Sequence, residues 1–535
     1  MNVDLIRRFW FSTWAATCLV LAASPALAQS GKAPPATVQS VGLPNLGDGS
    51  EMTSSAERRL GDRIVRELYR DPDYIDDPVL FEYVQAIWQP LLAAARLRGD
   101  LPPELDERFA WEVLIGRDRT INAFALPGGY FGLHLGLMAA VGSRDELASV
   151  MGHELSHVTQ RHISRLISKQ NSTSPWLVGA MILGVLAASK SQDAANALVT
   201  GSQAVAAQTQ LNFSRDMERE ADRVGFGVMT QAGFDGQGFV SMFDKLQQAS
   251  RLNDRGNFPY LRGHPLTTER IADMQARVRG TGGAVGAGPA SSATPMRPGA
   301  LEDALISARA RVLSNPGVDD LHVWAALVAD ANFAAKPKVR QAAELYGATL
   351  AALKLRDLGA ATRLLASLQD AVRADAPAAR LASLLAAELA LAAGNPPQAL
   401  ALLADQPGAT AFAHRPEVVM LAQAHIAQGR PQAATQGLQT WLANHPRDAL
   451  AWQLLSAAYA EQGQTLRAIR ADAESRVAVL DYAPASERLK AGQLLAREMA
   501  SKGTADHIEA SIIDTRAREV ALQLRELLRE QAVER

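Results

Sequence analysis

Cysteine is nearly missing from this chain of 535 residues. Its one cysteine, Cys18, lies in an uncharged apolar stretch that runs from Phe9 to Ala23. Two arginines before that stretch and a small-x-small sequence ending at Ala28 are typical of a secretory signal. We therefore predict that residues 1–28 are removed on export. The remaining chain has no cysteine, which excludes both disulfides and thiol catalysis.

The chain also has few aromatic residues, little net charge and no long apolar run. Aromatics make up 6% of it and the formal net charge is −2, so the charge does not favour nucleic acid as a partner. The run from Trp176 to Ala188 is too short for an ordinary transmembrane helix, as is the apolar part of the signal. We expect no transmembrane span after signal removal, with an uncleaved N-terminal anchor as the alternative. Because alanine is abundant and favours helix, we expect mainly α structure.

Composition divides the rest of the chain into a leader, two large parts and a linker. At this length more than one domain is expected. Residues 29–54 are rich in Pro, Gly, Ser and Gln and predict an extended leader, whereas residues 55–279 carry helical patterning. Short strands are predicted around the Pro-Gly-Gly turn that ends at Gly129. The Gly-, Ala- and Ser-rich residues 280–300 predict a flexible linker, so residues 301–535 should make few contacts across it and fold alone.

Residues 301–535 contain an internal repeat. Three glycines recur 35 and 34 residues apart, and each is followed five residues later by an alanine. The glycines are Gly394, Gly429 and Gly463, and the alanines are Ala399, Ala434 and Ala468. This period is typical of tetratricopeptide repeats, in which glycine permits the turn and alanine lets two helices approach, and which stack into an α-solenoid that binds other proteins. The alternative is an alanine-rich helical bundle without repeats.

The strongest chemical signal is the sequence HELSH. Its histidines, His153 and His157, are four residues apart, so on a helix both imidazoles lie on one face and can reach one zinc ion. Glu154 would lie beside the metal as the general base that takes a proton from water. A purely structural zinc site is the alternative, but it would not need this glutamate. His162, five residues after His157, would be rotated off the face, so we interpret it as a surface or packing histidine.

A catalytic zinc site also needs a third protein ligand. Glu218 and Asp222 are four residues apart in the sequence EREAD and therefore share a helical face, with Glu220 directed elsewhere. Glu218 can bind the metal, and Asp222 can orient a ligand histidine. The alternative for these residues is an ordinary charged helix surface.

HELSH followed about sixty residues later by EREAD resembles the family of HtpX-like and CAAX-prenyl-protease-like zinc metallopeptidases. Residues 121–129 and 263–266 match this family as well, and the similarity covers about residues 40 to 280. The resemblance implies a zincin-like α+β domain of the gluzincin type with a small sheet and one Zn²⁺ per chain. The site residues that it implies are the zinc ligands His153, His157 and Glu218, the catalytic Glu154, and a supporting or proton-donating Asp222.

A secretory signal, a catalytic part without spans and C-terminal repeats together resemble exported members of this family. The resemblance implies a periplasmic endopeptidase, peripheral at the outer membrane, whose substrates are unfolded or misassembled envelope proteins. Its repeats would bind the outer-membrane assembly machinery, and the strand near Asn122–Leu126 would pair with extended substrate. Integral-membrane relatives have several spans, so prenyl-protein processing is not expected here. The alternative is a chaperone or scaffold for outer-membrane protein assembly with secondary or latent protease activity.

His264 has three open interpretations. Because Pro265 follows it, its backbone is held extended, which suits a side chain with a fixed direction. It could stabilise the oxyanion of the reaction. It could instead occupy the fourth zinc position and keep the protease latent, or simply be a solvent-facing or packing histidine at a helix start.

Overall fold

The computed structural model describes residues 52–169, 213–252, 259–280, 299–404, 413–504 and 506–533. The predicted signal, nearly all of the predicted leader, the apolar run from Trp176 to Ala188 and most of the predicted linker lie outside these ranges. Within them, no helix is both long and apolar enough to cross a membrane. The described residues are mainly helical with one small sheet, as the sequence predicts.

The N-terminal part of the described chain combines helices with the sheet. Its helices are α1 (Ser54–Arg70), α2 (Pro78–Arg98), α3 (Pro103–Arg108), α4 (Leu135–Ala140), α5 (Arg144–Thr159), α6 (His162–Lys169), α7 (Arg215–Gln231), α8 (Gln237–Leu252), α9 (Pro259–Gly263) and α10 (Thr268–Gly280). Local sequence explains where they begin and end. Thr53 caps α1, and Asp77 caps α2, which ends before Gly99 with a φ of 76°.

Three short strands form the sheet: β1 (Glu112–Gly116), β2 (Ala123–Leu126) and β3 (Tyr130–His134). β3 is central and runs parallel to β1 and antiparallel to β2. Gly128 and Gly129, with φ of 77° and 79°, make the tight connection between β2 and β3 that the sequence predicts. Among the described strands β2 pairs with β3 alone, and on its other edge the N–H of Ala125 binds Glu154 of α5.

The C-terminal part is a succession of helices in which most pack against their neighbours along the chain, and the first packs against the third. They are α11 (Ala300–Ser314), α12 (Val318–Ala326), α13 (Lys338–Lys354), α14 (Leu358–Val372), α15 (Ala376–Ala392), α16 (Pro396–Ala404), α17 (Arg415–Ala427), α18 (Pro431–Asn444), α19 (Ala449–Glu461), α20 (Thr465–Ala478), α21 (Tyr482–Ser501) and α22 (His507–Val533). Two 3₁₀ turns, Leu327–Ala329 and Phe333–Ala335, lie between α12 and α13.

The repeat glycines lie where paired helices join. Gly394, Gly429 and Gly463 follow α15, α17 and α19 with φ of 71°, 68° and 70°. This left-handed conformation favours glycine because it has no Cβ. The next helix of each pair carries the alanine of the repeat pattern, and all three alanines, Ala399, Ala434 and Ala468, are buried. The pattern in the sequence therefore corresponds to three helix–turn–helix pairs.

The two parts share one hydrophobic core. Leu80 and Tyr83 of α2 belong to the same buried cluster as Leu305 of α11 and Leu384 of α15, and α11 packs against α4 and α2. The expectation that few contacts cross the linker is therefore wrong, because a loose linker does not determine what the helices on either side bury. The domain boundaries stay a prediction, but a fragment that begins at residue 301 would expose the α11 face that covers α2 and α4.

Four arginines of the C-terminal part also bind carboxylates of the N-terminal part. The pairs are Arg309 with Asp77 at 2.7 Å, Arg380 with Glu82 at 2.8 Å, Arg415 with Asp76 at 2.5 Å, and Arg447 with Glu112 at 2.5 Å. The side chain of Arg309 is 5% exposed and also contacts Glu388 at 2.8 Å. Burial disfavours its charge, but Asp77 and Glu388 outweigh that cost and raise the pKa of the guanidinium.

Arg309→Ala should lower the free energy of unfolding by about 3–5 kcal/mol, because it leaves two carboxylates buried without their cation. Urea denaturation followed by circular dichroism measures this change. Arg373→Ala is the matched control, since that arginine side chain is 79% exposed and pairs only with a neighbouring exposed aspartate. If both variants unfold at the midpoint of the unmodified protein, the buried pair does not stabilise the junction of the two parts.

Candidate metal centre

α5 carries HELSH through the centre of the N-terminal part. Ser143 caps this helix, with its Oγ accepting from the backbone N–H of Glu146 at 3.3 Å, and acidic residues in the first turn favour the helix start. Every residue of the range 145–159 is buried. Because buried polar groups need partners, the histidines and the glutamate of HELSH must be satisfied inside the protein.

Four side chains converge on one point beside α5. His153 and His157, one helical turn apart, bring their Nε2 atoms within 3.0 Å of each other. Glu218 of α7 directs Oε2 to His153 Nε2 at 3.4 Å and Oε1 to His157 Nε2 at 3.5 Å. His264, which follows α9, places Nδ1 3.3 Å from His153 Nε2 and 3.0 Å from Glu218 Oε1. The four residues are buried, and one ligand atom from each lies within 4.8 Å of the others.

Two glycines let α5 and α7 cross closely enough for this convergence. Gly152 precedes His153, and Gly225 follows Glu218 by two helical turns. A Cβ at Gly225 would lie 2.9 Å from the carbonyl carbon and oxygen of Gly152. That distance to backbone atoms is shorter than van der Waals contact allows, so a larger residue at Gly225 would push the helices apart.

The cluster fits a tetrahedral metal ion. Nitrogen and oxygen ligands at about 2.0–2.1 Å from zinc in a tetrahedron lie about 3.3 Å from one another. Five distances between these atoms, counted over both oxygens of Glu218, lie from 3.0 to 3.5 Å and are close to that spacing, while the set with one ligand atom from each residue spans up to 4.8 Å. Burial disfavours protonation of His153, but Asp222 and Glu218 outweigh it and raise the pKa of this imidazole to about 10. The surrounding carboxylates therefore favour a positive charge at this point.

Asp222 and Arg270 hold two of the four residues in place. Asp222 Oδ1 lies 2.9 Å from His153 Nδ1, the position needed to orient that imidazole. Arg270 donates to both oxygens of Asp222 at 2.6 and 2.8 Å, contacts Glu218 Oε2 at 2.8 Å, and donates to the carbonyl of Pro265 at 2.9 Å. Arg270 is part of the family resemblance, but its role could not be predicted, because its acidic partners lie about fifty residues away in the sequence and only folding joins them.

His162, predicted to be a surface or packing histidine, is buried and packs against the metal cluster. α5 ends before it, and Arg161 adopts a φ of 54°, so the chain turns and α6 begins at His162. The spacing argument assumed one uninterrupted helix, whereas the turn brings His162 Nδ1 to 2.8 Å from His157 Nδ1. Glu220, predicted to point away from the metal, binds His162 Nε2 at 3.0 Å. Burial lowers the pKa of His162 to about 4, so its imidazole is neutral at ordinary pH.

Glu154 lies beside the cluster on the side that faces β2. Its Oε2 accepts from the backbone N–H of Ala125 at 3.0 Å, and its Oε1 lies 3.5 Å from His264 Nε2. Burial raises the pKa of Glu154, which makes the carboxylate a stronger base. The arrangement places a buried carboxylate, a group of side chains that could hold a metal ion and a strand edge next to one another.

The backbone of β2 is arranged to meet an extended chain. The carbonyl of Asn122 accepts from His134 N at 3.1 Å, so Asn122 and the alternate residues after it bond toward β3. Ala123 and Ala125 therefore turn their backbone groups to the open edge, and one of these groups, the N–H of Ala125, already binds Glu154. An extended peptide along this edge would pass directly over the Glu154 carboxylate.

A helix that carries HELSH, joined at a shared ligand point by a carboxylate of a second helix, defines a metallopeptidase. Residues 79–278 match peptidase family M48. The chain belongs to this family and, within it, to the beta-barrel assembly-enhancing proteases. The resemblance drawn from the sequence is thereby confirmed, as is the prediction of a metalloprotease.

Named relatives show how far this similarity extends. The beta-barrel assembly-enhancing protease of Escherichia coli (strain K12) is 31% identical over 84% of this chain and 88% of that protein. A Vibrio cholerae relative given the same name is 36% identical over 50% of this chain, and the match spans 53% of that protein. The mitochondrial metalloendopeptidase OMA1 of Saccharomyces cerevisiae is 29% identical over 36% of this chain and 54% of that protein. The match to the Escherichia coli protein covers too much of this chain to be confined to the N-terminal part.

Proposed function

We propose that the chain is a zinc endopeptidase of the cell envelope that degrades misassembled or unfolded outer-membrane proteins. The observation that carries this proposal is the cluster of His153, His157 and Glu218 with Glu154 between it and an open strand edge. Two imidazole nitrogens with one carboxylate are a ligand set typical of catalytic zinc. The substrate class rests on the names of the relatives, which refer to the assembly of β-barrels.

Catalysis divides between the metal and the side chains around it. Zinc, when bound, supplies a Lewis acid that polarises the scissile carbonyl and makes water more acidic. Glu154 takes the proton from the attacking water and then gives it to the leaving amine. The N–H of Ala125 holds one oxygen of that carboxylate and so fixes its direction. Asp222 supports the site by orienting His153.

Recognition of substrate by backbone pairing suits this site. The outward backbone groups of Ala123 and the carbonyl of Ala125, whose N–H already binds Glu154, can pair with an extended chain as an added strand. Such pairing depends on hydrogen bonds to the substrate backbone and not on its side chains. It therefore favours unfolded chains, whose backbone groups are free to pair. Folded proteins have few free strand edges to offer.

We assign His264 the fourth metal position, where it keeps the protease latent. Its imidazole lies between the base and the ligands, with Nε2 3.5 Å from Glu154 Oε1 and Nδ1 3.0 Å from Glu218 Oε1. That is the space that the attacking water needs. Stacking on Tyr260 at 4.7 Å between ring centroids and the hydrogen bond of Arg270 to the carbonyl of Pro265 support this position. Latency would protect nascent envelope proteins from a protease that reads only backbone.

The helix pairs of the C-terminal part are proposed to be a tetratricopeptide-type α-solenoid within residues 301–535. The glycine turns and buried alanines at the repeat positions support this assignment. The solenoid would bind the outer-membrane assembly machinery, while residues 55–279 form the catalytic domain. We place the protein in the periplasm, peripheral at the outer membrane, after cleavage of the signal behind Ala28.

Purified protein should contain about one zinc per chain, and His153→Ala combined with His157→Ala should abolish that binding, because it removes two of the ligands. Elemental analysis after dialysis measures the content. His322→Ala combined with His507→Ala is the matched control, since both histidines are exposed and lie in the C-terminal part. Zinc retained by the first double variant would place the metal elsewhere.

The substrate class is tested by capture. The Glu154→Gln protein, incubated with outer-membrane extracts, should retain unfolded or incompletely assembled β-barrel proteins that the active protein cleaves. The scaffold alternative predicts that a strain carrying Glu154→Gln keeps normal outer-membrane assembly. Loss of assembly in that strain supports the protease, and retention supports the scaffold.

A further inference from the structure

The two histidines of HELSH are oriented by different hydrogen-bond partners. His153 is bound directly by a buried carboxylate, since Asp222 Oδ1 lies 2.9 Å from its Nδ1. No carboxylate of the described residues takes that place at His157, whose Nδ1 instead faces His162 Nδ1 at 2.8 Å. Behind His162 lies Glu220, whose Oε2 is 3.0 Å from His162 Nε2. The second carboxylate therefore reaches the ligand through an intervening imidazole.

The chemistry of these groups fixes the direction of each hydrogen bond. A neutral imidazole has one N–H donor and one lone-pair acceptor. The Glu220 carboxylate can only accept, so the N–H of His162 lies on Nε2 and donates to it. His162 Nδ1 is then an acceptor, and the proton between the two histidines must belong to His157 Nδ1. The Nε2 of His157 is left with its lone pair, directed at the ligand cluster.

We propose that Glu220, acting through His162, is a positioning residue that holds His157 in the tautomer and orientation that bind the metal. The inference rests on the proposed zinc site and extends it beyond the ligands. Glu220 touches neither the ligand atoms nor the substrate edge, so its effect passes through His162 alone. The half-buried carboxylate is itself held by Arg165, which donates to the same Oε2 at 2.9 Å.

Glu220 lies at the edge of the protein, which makes the relay open to test. Its side chain is 31% exposed and lines a surface cleft between α7 and α10. Glu269, 75% exposed, lines the same cleft, and its carboxylate contacts Arg219 and no residue of the cluster. Replacing either glutamate by alanine opens no cavity in the core. A difference in zinc affinity between the two variants therefore measures the contribution of the hydrogen-bonded chain from Glu220 through His162 to His157.

The experiment measures zinc affinity by competition with a chelator, together with the visible absorption of the cobalt-substituted protein. Glu220→Ala should raise the zinc dissociation constant about 10–100-fold and alter the cobalt spectrum, whereas Glu269→Ala should do neither. His162→Leu should match the loss of Glu220→Ala, and the double variant should be no worse, because the two residues act in series. His162→Gln should recover most of the affinity, since an amide can accept from His157 and donate to Glu220.

Urea denaturation of the metal-free variants separates positioning from folding. Glu220→Ala should unfold at a somewhat lower midpoint than Glu269→Ala, because it leaves the buried N–H of His162 without its acceptor, but in one cooperative transition, so both variants are folded where zinc affinity is measured. Two outcomes would overturn the relay: equal zinc affinity for Glu220→Ala and Glu269→Ala, or losses for Glu220→Ala and His162→Leu that simply add. Failure of the zinc site as a whole looks different. In that case the unmodified protein itself binds no zinc, and no comparison among these variants arises.

Discussion

Glu154→Gln should reduce kcat/KM for an unfolded protein substrate by about 10²–10⁴-fold, because the amide cannot take the proton from water. The substitution keeps the shape of the side chain and its acceptor for the N–H of Ala125, so the fold should persist. Zinc content should also be unchanged, because Glu154 is the base and not a ligand. Cleavage of a reduced, unfolded model protein, followed by gel densitometry, measures the rate.

The matched control is Glu67→Gln, which makes the same change on the half-exposed outer face of α1. It should cleave at the rate of the unmodified protein. Full activity in Glu154→Gln would remove the general base from the proposed mechanism. Loss of zinc together with loss of activity would instead show that Glu154 acts through the metal site.

His264→Ala should raise basal cleavage by about 10–100-fold, because an enzyme that is open in only about one to ten molecules in a hundred gains that factor when the latch is removed. Self-cleavage during purification should increase as well. Initial rates on the unfolded substrate give the factor, and carrying Glu154→Gln in the same chain should suppress it. His322→Ala, an exposed histidine of α12, is the control.

The two other interpretations of His264 predict different rates. A residue that stabilises the oxyanion would make His264→Ala slower, by about 10²–10³-fold for one donor. A packing residue would leave the rate and the zinc content unchanged. Because the three predictions differ in sign, one measurement separates them.

Much of the candidate site could be located from the sequence because helices impose a period. Spacing of four residues puts His153 beside His157 and Glu218 beside Asp222, and the structure brings the first three of them together with His264. The strand β3 and the turn before it could also be predicted from the sequence, because Gly128 and Gly129 are residues that favour a turn. These features depend on residues close together in the chain.

Contacts between residues that are far apart in the sequence could not be predicted from helical spacing. His162 is a packing histidine, one of the two predicted alternatives, but its contact with His157 could not be predicted because nothing in the sequence shows that the helix breaks at Arg161. Arg270 appears as a charged residue on an amphipathic helix until folding brings it to Asp222. Arg309 equally resembles a surface residue, although it is buried against Asp77. The periodicity of the sequence indicates which face of a helix a residue lies on, but it does not show which other part of the chain packs against that face.

Because of the contact between Gly152 and Gly225, the geometry of the metal centre depends on the size of the side chain at these positions and not on its chemical character. Helices usually keep apart by the thickness of their side chains, which can rotate or bend to absorb a change. Here the separation is set by bare backbone, which has nothing to rotate. A single methyl group at Gly225 would act as a wedge one turn from Asp222 and two turns from Glu218, and would widen the gap between the halves of the ligand set. Whether the metal centre tolerates a substitution therefore also depends on the contact between Gly152 and Gly225, where there is no functional side chain.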